Sequence, residues 1–356
     1  MSVASGLAIG SKPKPELAQR AVQEALSKAN LKVANSVLLF LTSEFARDPL
    51  PAIKAAGKTA SCVQVIGCSA PGIFTEQDWV LDAPAAAAMV FGNGISLAPV
   101  HEPATTDLLM ALTAPNAINI TWLAARGARF GGVSGDATGQ GPFSVWHSSK
   151  ASTAGHCEVA LHGANGVIGA AHGVRVLTEG KPVTASNGHD LIFLGGKPAL
   201  ETLLQACGEA PLPLHQLMAG IADSADEIAH GRYRLTALVG ANENDRSITL
   251  AKTIKPGQLV FWALRETDAA QKDMRDTIAK MATQLAAPPQ FGLLFSCLGR
   301  GPYFYSGVDR DIELLQHKFP GMPLIGLYGN GEIAPINGVN ELLQYSAVLG
   351  LFHGAV

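Results

Sequence analysis

Apolar residues recur at helical spacing in four stretches of the chain. Between Pro15 and Leu31 the apolar positions lie three or four residues apart, which predicts an amphipathic helix with Pro15 in its first turn. The same spacing predicts helices over residues 198–207, 267–285 and 309–319. Asp309 is placed to cap the last of these helices at its amino end.

Short runs of apolar residues alternate with these helical patterns. A run of about seven apolar residues has the length of a strand that is buried on both faces. Such runs occupy residues 36–42, 61–67, 85–91 and 291–297. Residues 157–194 alternate between strand-like and turn-like segments, and the glycines between residues 131 and 141 predict a loop.

The two ends of the chain repeat one order of predicted elements: strand, helix, strand, glycine turn, strand. Gly67 and Gly72 are five residues apart, as are Gly326 and Gly331. A crossover through a helix pairs its two strands in parallel and places the helix on one face of the sheet. The sequence therefore predicts an α+β (mixed α/β) protein with two duplicated β-α-β-β halves, whose mixed sheets pack together with the helices on the outside.

Composition and charge exclude several classes of partner. The chain has 26 Lys and Arg against 29 Asp and Glu, a net charge of −3, and no run of five or more like charges. This balance argues against nucleic acid as a partner. No apolar run approaches the length of about 20 residues that a membrane helix needs, and no signal peptide is visible. Five cysteines without a Cys-x-x-Cys pair favour reduced thiols, so we expect a cytoplasmic protein with neither a metal nor a cofactor.

Two glycine-rich segments in the second half carry candidate ligand-binding residues. Arg300 lies between two glycines, the second being Gly301, and a guanidinium binds a carboxylate through two parallel hydrogen bonds. Tyr303 and Tyr305 could line the same pocket with their rings. The sequence thus predicts a site for a small carboxylate at this loop.

The turn around residue 330 completes the predicted site. Backbone N–H groups near Asn330 and Gly331 are expected to contact the ligand, and Glu332 is expected to face a cationic amine. This combination suggests an amino acid as the ligand. A direct salt bridge between Arg300 and Glu332 is the alternative that the sequence leaves open.

Cysteine chemistry provides the main enzymatic alternative. Cys68, beside Ser69, and Cys297 each follow a predicted strand, where a nucleophile could be exposed. No histidine is linked to either cysteine by a recognisable signature, and free cysteines are commonly small buried hydrophobes. Asp136 could lie at the rim of the cleft, although aspartate in a glycine loop usually serves the turn itself.

The motif string as a whole resembles FIST domains. The C-terminal half is similar in Cys297-Leu-Gly-Arg-Gly, in Asn330-Gly-Glu-Ile-Ala-Pro and in the closing strand 345–352, whereas Ile66-Gly-Cys-Ser and Phe130-Gly-Gly-Val-Ser-Gly-Asp resemble the N-terminal half more loosely. The resemblance implies an N-terminal domain over 1–189, a C-terminal domain over 190–356, and a small-ligand-binding sensory module of signalling proteins that is not an enzyme. Because FIST modules are often joined to an output segment for which this chain has no room, a separate signalling partner is expected.

Overall fold

The structure is a computed structural model that describes residues 2–100, 103–104, 108–152, 154–208 and 214–355. These residues form seven α-helices, most of them amphipathic. The helices are α1 (Pro15–Ala29), α2 (Leu50–Ala60), α3 (Ile120–Leu123), α4 (Ala199–Cys207), α5 (Ala225–Ala229), α6 (Thr267–Gln284) and α7 (Arg310–Lys318). The four helices predicted from the apolar spacing correspond to α1, α4, α6 and α7.

The described residues also form twenty-six strands. The strands in chain order are β1 (Val3–Ile9), β2 (Ser36–Thr42), β3 (Val65–Ala70), β4 (Gly72–Thr75), β5 (Trp79–Leu81), β6 (Ala85–Phe91), β7 (Ser96–Pro99), β8 (Leu108–Thr113), β9 (Ala128–Val133), β10 (Val145–His147), β11 (Lys150–Ala151), β12 (His156–His162), β13 (Ala164–Ala171), β14 (Val174–Val176), β15 (Lys181–Asn187), β16 (Asp190–Leu194), β17 (Lys197–Pro198), β18 (Leu217–Ala222), β19 (Arg234–Asn242), β20 (Ser247–Leu250), β21 (Leu259–Arg265), β22 (Phe291–Cys297), β23 (Leu324–Gly329), β24 (Glu332–Ile336), β25 (Val339–Leu343) and β26 (Ala347–Gly354).

The chain divides into two units. The first unit comprises residues 1–171 and 274–356, and the second comprises residues 172–273. The first unit contains three six-stranded sheets, and the second contains an eight-stranded sheet around a core of its own. The domain boundary predicted after residue 189 lies within the second unit, and the assignment of 1–189 and 190–356 to two family halves stays a prediction.

The three sheets of the first unit share one pairing order. The first sheet runs β1-β6-β2-β3-β10-β11, the second β25-β24-β9-β8-β12-β7, and the third β13-β26-β22-β23-β4-β5. Each has a central parallel pair, β2 with β3, β8 with β9 and β22 with β23, and an antiparallel strand beside it. The helical crossover predicts this parallel pairing for the first and third sheets, and it is confirmed.

The sheets also exchange strands with one another. Strand β4 follows β3 along the chain but pairs with β23 of the third sheet. Strand β24 follows β23 but pairs with β9 of the second sheet, and β10 follows β9 but pairs with β3 of the first sheet. Each parallel pair is therefore extended by a strand that follows a strand of another sheet along the chain. The first sheet extends the third in this way, the third extends the second, and the second extends the first.

A central core lies between the three sheets. Phe295 of β22 packs edge-on against Phe40 of β2, with ring centroids 6.2 Å apart, and against Phe130 of β9 at 6.1 Å. The opposite face of the first sheet is covered by α1 and α2, and that of the third sheet by α6 and α7. Both faces of these strands are buried, which explains why their sequences are continuously apolar rather than alternating.

Two predictions about glycines are wrong. Gly131 belongs to strand β9 and not to a loop, and strands β3 and β23 continue past Gly67 and Gly326 instead of ending there. A Cβ atom on Gly67 or Gly326 would lie 1.7 or 2.0 Å from the carbonyl oxygen of the parallel neighbour, Leu39 or Leu294. These glycines therefore permit close strand approach, a role that a turn-based interpretation misses.

Candidate functional site

A buried ion pair lies just beyond the carboxyl end of β22. The loop after Cys297 turns back on itself, with the Arg300 N–H donating to the Cys297 carbonyl at 2.8 Å, and it leaves Arg300 only 1% exposed. The guanidinium contacts Asp311 through two bonds, Nε–Oδ2 at 2.7 Å and Nη2–Oδ1 at 3.2 Å. Its Nη1 donates to the Ala171 carbonyl at 3.1 Å. Arg300 is thus held in the bidentate geometry predicted for it, with a carboxylate of the same chain as its partner.

Further acidic and phenolic groups surround this pair. Tyr305 donates its hydroxyl to Asp311 Oδ1 at 3.0 Å, and Tyr328 donates to Asp309 Oδ2 at 2.6 Å. Asp309 caps α7 by accepting the N–H groups of Asp311 at 2.9 Å and Ile312 at 3.0 Å, which confirms the predicted cap. Burial, followed by the charge of Asp311, raises the pKa of Asp309 to about 6 even though these hydrogen bonds favour its charged form.

Glu332 is the most unusual residue of the site. Its side chain is 0% exposed, and its Oε2 accepts the hydroxyl of Ser346 at 3.0 Å and the Ser346 N–H at 3.3 Å. Its Oε1 has no hydrogen bond of ordinary geometry to the residues that the structure describes, and the Cys297 thiol contributes a weak hydrogen bond to the carboxyl. Burial raises the pKa of Glu332 well above its usual range, and the Ser346 donors, the Arg300 charge and the Cys297 thiol oppose this rise only in part. A carboxyl kept in such an environment is typical of functional sites.

The shared pairing order of the three sheets shows how far Glu332 departs from the local pattern. In each sheet, one strand of the central parallel pair contains a glycine whose added Cβ atom would meet the neighbouring strand: Gly67, Gly131 or Gly326. The strand received from another sheet pairs with the residue that follows this glycine. The residues paired at this position are Val145 opposite Cys68, Ile73 opposite Leu327, and Glu332 opposite Gly132. Two sheets thus place a buried aliphatic side chain where the second sheet places a carboxyl.

The electrostatic balance of the cluster favours a cation. Asp309, Asp311 and Glu332 supply three carboxyl groups against the single guanidinium of Arg300, and all four are buried. The raised pKa values of Asp309 and Glu332 indicate that protons partly make up for the missing positive charge.

The other predicted residues of the second half have different surroundings. Gly301 lies against the Tyr328 ring, which a Cβ atom would approach to 2.8 Å. Tyr303 is 65% exposed and donates its hydroxyl to Asp82, so it does not join the buried cluster. The Asn330 N–H, predicted to contact a ligand, donates to the Val133 carbonyl at 3.1 Å, and the Gly331 carbonyl accepts from Val133 N at 2.9 Å.

The predicted residues of the first half form separate structural contacts. Ser69 Oγ lies 3.2 Å from the Ser134 hydroxyl and accepts the Ser144 N–H at 3.1 Å. Asp136 accepts the Thr138 hydroxyl at 2.7 Å and the Gly141 N–H at 3.0 Å, and so it serves its own turn.

Both candidate nucleophiles are buried. Cys68 is fully buried, and burial raises the pKa of its thiol well above the usual range, so the thiol stays neutral. Cys297 is also buried. Within the described parts of the chain, no group of three His, Cys, Asp or Glu side chains is arranged to hold a metal ion.

The sequence interpretation missed several residues of the cluster. Asp311 is the main omission, because it is the ion-pair partner of Arg300, and Tyr328 and Ser346 are the others. Asp311 lies in the first turn of α7, where an acidic residue is common at any helix start, so its type and place gave no signal. Its contact with Arg300 forms only when the loop and the helix are folded together, so the sequence alone does not show it.

Comparison with known proteins supports part of the family interpretation. Residues 199–335 match the family model described as the FIST C domain, whereas an N-terminal FIST domain is not detected. An uncharacterized protein of Mycobacterium tuberculosis is 32% identical over 231 residues, which are 62% of this chain and 60% of that protein. An uncharacterized protein of Mycobacterium bovis is 30% identical over 229 residues, with 62% and 59% covered. The chain therefore spans about 60% of the length of the curated relatives it matches.

Among the described residues, no helix combines the length and the apolar character that crossing a bilayer requires.

Proposed function

We propose that this chain is a cytosolic small-ligand-binding sensory protein whose ligand is an amino acid or another small carboxylate. The FIST C match supports the sensory class. The observation that carries the site is Glu332, a fully buried carboxyl with an oxygen that has no hydrogen bond of ordinary geometry to a described residue. A buried polar atom without a partner costs stability unless something outside the chain completes it.

The ligand's two charged groups would meet opposite partners in the cluster. Its ammonium group would lie against Oε1 of Glu332, where it supplies the cation that the three carboxyls lack. Its carboxylate would bind the guanidinium of Arg300 and would compete there with Asp311, which is the ion-pair partner of Arg300 without a ligand. Release of Asp311, at the start of α7, would then pass the signal to a separate partner protein.

The repeated pairing order supports a related proposal about the fold. The first and third sheets share a parallel pair, a helical crossover and a close-approach glycine. We infer that residues 1–189 and 190–356 arose by internal duplication and that residues 1–189 form an N-terminal FIST-like domain.

A thermal-shift screen of amino acids tests the proposed ligand class. A ligand at 100 times its Kd adds about 2.7 kcal/mol to the stability of the wild type. Glu332→Gln keeps the shape of the side chain but removes the charge, and we expect it to weaken binding of the selected ligand about 30-fold. Glu313→Gln, on the exposed face of α7, is the matched control and should bind as the wild type does.

Arg300→Ala tests the carboxylate contact separately. Because this variant also leaves Asp311 unpaired, its affinity is to be measured by calorimetry at a temperature where the variant is folded. Full affinity in Arg300→Ala or in Glu332→Gln would show that the ligand binds elsewhere.

A further inference from the structure

A cavity lies at the end of the first unit's third sheet that is opposite to the Arg300 cluster. It has a volume of about 630 Å³ and lies at the amino ends of β22 and β23, between the residues before Phe291, those before Leu324, and the start of β1. Small-molecule sites commonly have volumes of about 300–1,000 Å³. The cavity is therefore large enough for a small organic ligand.

The cavity wall is mostly apolar and is stiff. Val3, Phe319 and Met322 contribute apolar side chains, and prolines occur in both the 288–289 and the 320–323 segments. The ring of proline fixes the backbone angle φ, so these segments lose little freedom when a ligand binds. The apolar body of a ligand would thus enter a preformed space.

Several backbone N–H groups on this wall already donate hydrogen bonds within the protein. The N–H of Phe319 donates to Leu315 at 2.8 Å, that of Met322 to Phe319 at 3.1 Å, and that of Gln290 to Phe352 at 2.7 Å. Proline has no N–H to offer. Polar recognition of a ligand therefore depends on side chains.

The polar side chains on the wall are donors. Lys318 is the one charged residue among those lining the cavity. The Gln290 side-chain oxygen accepts the Gly354 N–H at 3.2 Å, which leaves the amide nitrogen as the atom to donate toward a ligand. Among the described residues, none of those lining the cavity carries a carboxylate. The wall therefore complements a negative charge next to an apolar body.

We propose that this cavity is a binding site for a small molecule that combines an apolar, aromatic or aliphatic body with one anionic group. The anion contacts Lys318 and the Gln290 amide, and the body packs on Phe319 and Met322. The site is distinct from the Arg300 cluster, since the two lie at opposite ends of the same parallel strands. Helix α7 joins them, because its amino end is capped by Asp309 and its last residue is Lys318.

A matched pair of fluorescent probes tests this assignment. Anilinonaphthalene sulfonate and neutral phenylnaphthylamine share an apolar body and differ in the anionic group. Each would be titrated into the tag-free full chain, because Ser2 lines the cavity and Gly354 contacts Gln290. We expect saturable binding of the sulfonate and at least about tenfold weaker binding of the neutral probe.

Two variants locate the binding. Lys318→Met keeps the aliphatic stem and should weaken the sulfonate about tenfold while changing the neutral probe less than about twofold. Gln290→Glu keeps the oxygen that accepts from Gly354 and replaces the donor by a repelling charge, so it should act in the same direction. Lys54→Met, an exposed lysine on α2, is the matched control and should bind as the wild type does.

Two results would overturn the proposal: no saturable sulfonate binding by the folded wild type, or sulfonate affinity in Lys318→Met and Gln290→Glu equal to that of the wild type. Each variant is first shown to unfold cooperatively, so that probe bound by loosened protein is not counted. The response to amino acids is measured on Glu332→Gln, and the binding of the probes is measured on Lys318→Met. The two proposals can therefore be contradicted independently of each other.

Discussion

At the residue scale, the cluster around Arg300 shows that a buried charge network contains more acid than base. Asp311 neutralises Arg300, while Asp309 and Glu332 have no second guanidinium. Ionised carboxyl groups without a partner are costly in the interior, and the pKa of both residues is accordingly raised. The network therefore makes the stability of the protein sensitive to pH and to substitution.

The first prediction concerns the pH dependence due to Asp309. Its pKa is about 6 in the folded protein and about 3.9 when unfolded. Because the folded state binds this proton more tightly, the stabilisation is complete below about pH 4 and is lost as the pH rises through about 6. Asp309→Asn keeps the helix cap but cannot ionise, so its unfolding free energy relative to the wild type should rise between pH 4 and pH 7.

Urea denaturation across that pH range measures this effect, with the exposed Asp48→Asn as control. A constant difference between Asp309→Asn and the wild type would contradict the raised pKa.

The second prediction concerns the Arg300–Asp311 ion pair. Arg300→Met leaves Asp311 buried and unpaired, which should lower the unfolding free energy by about 3–5 kcal/mol. The double variant Arg300→Met with Asp311→Leu removes both charges and should be more stable than Arg300→Met alone. Denaturant titrations of both variants, together with Asp311→Leu alone, complete the cycle. Additive effects of the two substitutions would contradict direct coupling of the pair.

At the element scale, glycine placement explains how the parallel pairs pack. Gly67, Gly131 and Gly326 each lie within a strand, and a Cβ atom on any of them would lie within about 2 Å of a carbonyl oxygen of the neighbouring parallel strand. The sequence shows these glycines but suggests turns, since glycine is the usual turn residue. Their real role depends on the partner strand, which periodicity along one strand cannot reveal.

The third prediction follows from this close approach. Gly67→Ala and Gly326→Ala should each lower the unfolding free energy by about 3 kcal/mol, because the added methyl group must separate two buried strands. Gly240→Ala in β19 is the matched control, since nothing lies within 4 Å of its added Cβ atom. Thermal denaturation compares the three variants. A change in Tm for Gly326→Ala no larger than that for Gly240→Ala would show that the strands adjust freely.

At the scale of the whole molecule, the exchange of strands ties distant parts of the chain into one core. The central core combines Phe40 and Phe130 with Phe295 and Phe352 from the far end of the sequence. Strand β4 pairs with β23 on one side, and β13 pairs with β26, so both depend on strands from the far end of the sequence. Long-range pairing of this kind makes folding of the first unit depend on both ends of the chain.

The fourth prediction tests that dependence with the fragment of residues 1–189. On its own it lacks β23 beside β4, β26 beside β13 and nine of the thirty buried residues of the central core, so we expect no cooperative unfolding transition. Co-expression with residues 190–356 should restore one by supplying the missing strands. Circular dichroism during heating measures both outcomes. A sharp transition in the isolated fragment would show that these residues fold without the strands from the far end of the chain.

The sequence by itself determined the elements that depend on local pattern. Continuous apolar runs identify the buried strands Ser36–Thr42 and Phe291–Cys297, and helical spacing identifies α1 and α7. The short helical crossover also determines the parallel pairing of β2 with β3 and of β22 with β23. These features follow from interactions between residues close in the chain, or from connections too short to allow another pairing.

Only the tertiary structure decided which sheet receives each exchanged strand and what surrounds each buried charge. Glu332 is recognisable in sequence as a candidate, but its unsatisfied oxygen depends on Ser346 and on its position opposite Gly132. The cavity beside Lys318 is likewise built from three segments that are distant in sequence. Burial, desolvation and cavity shape are properties of the packed molecule, since they depend on neighbours that no periodicity along the chain specifies.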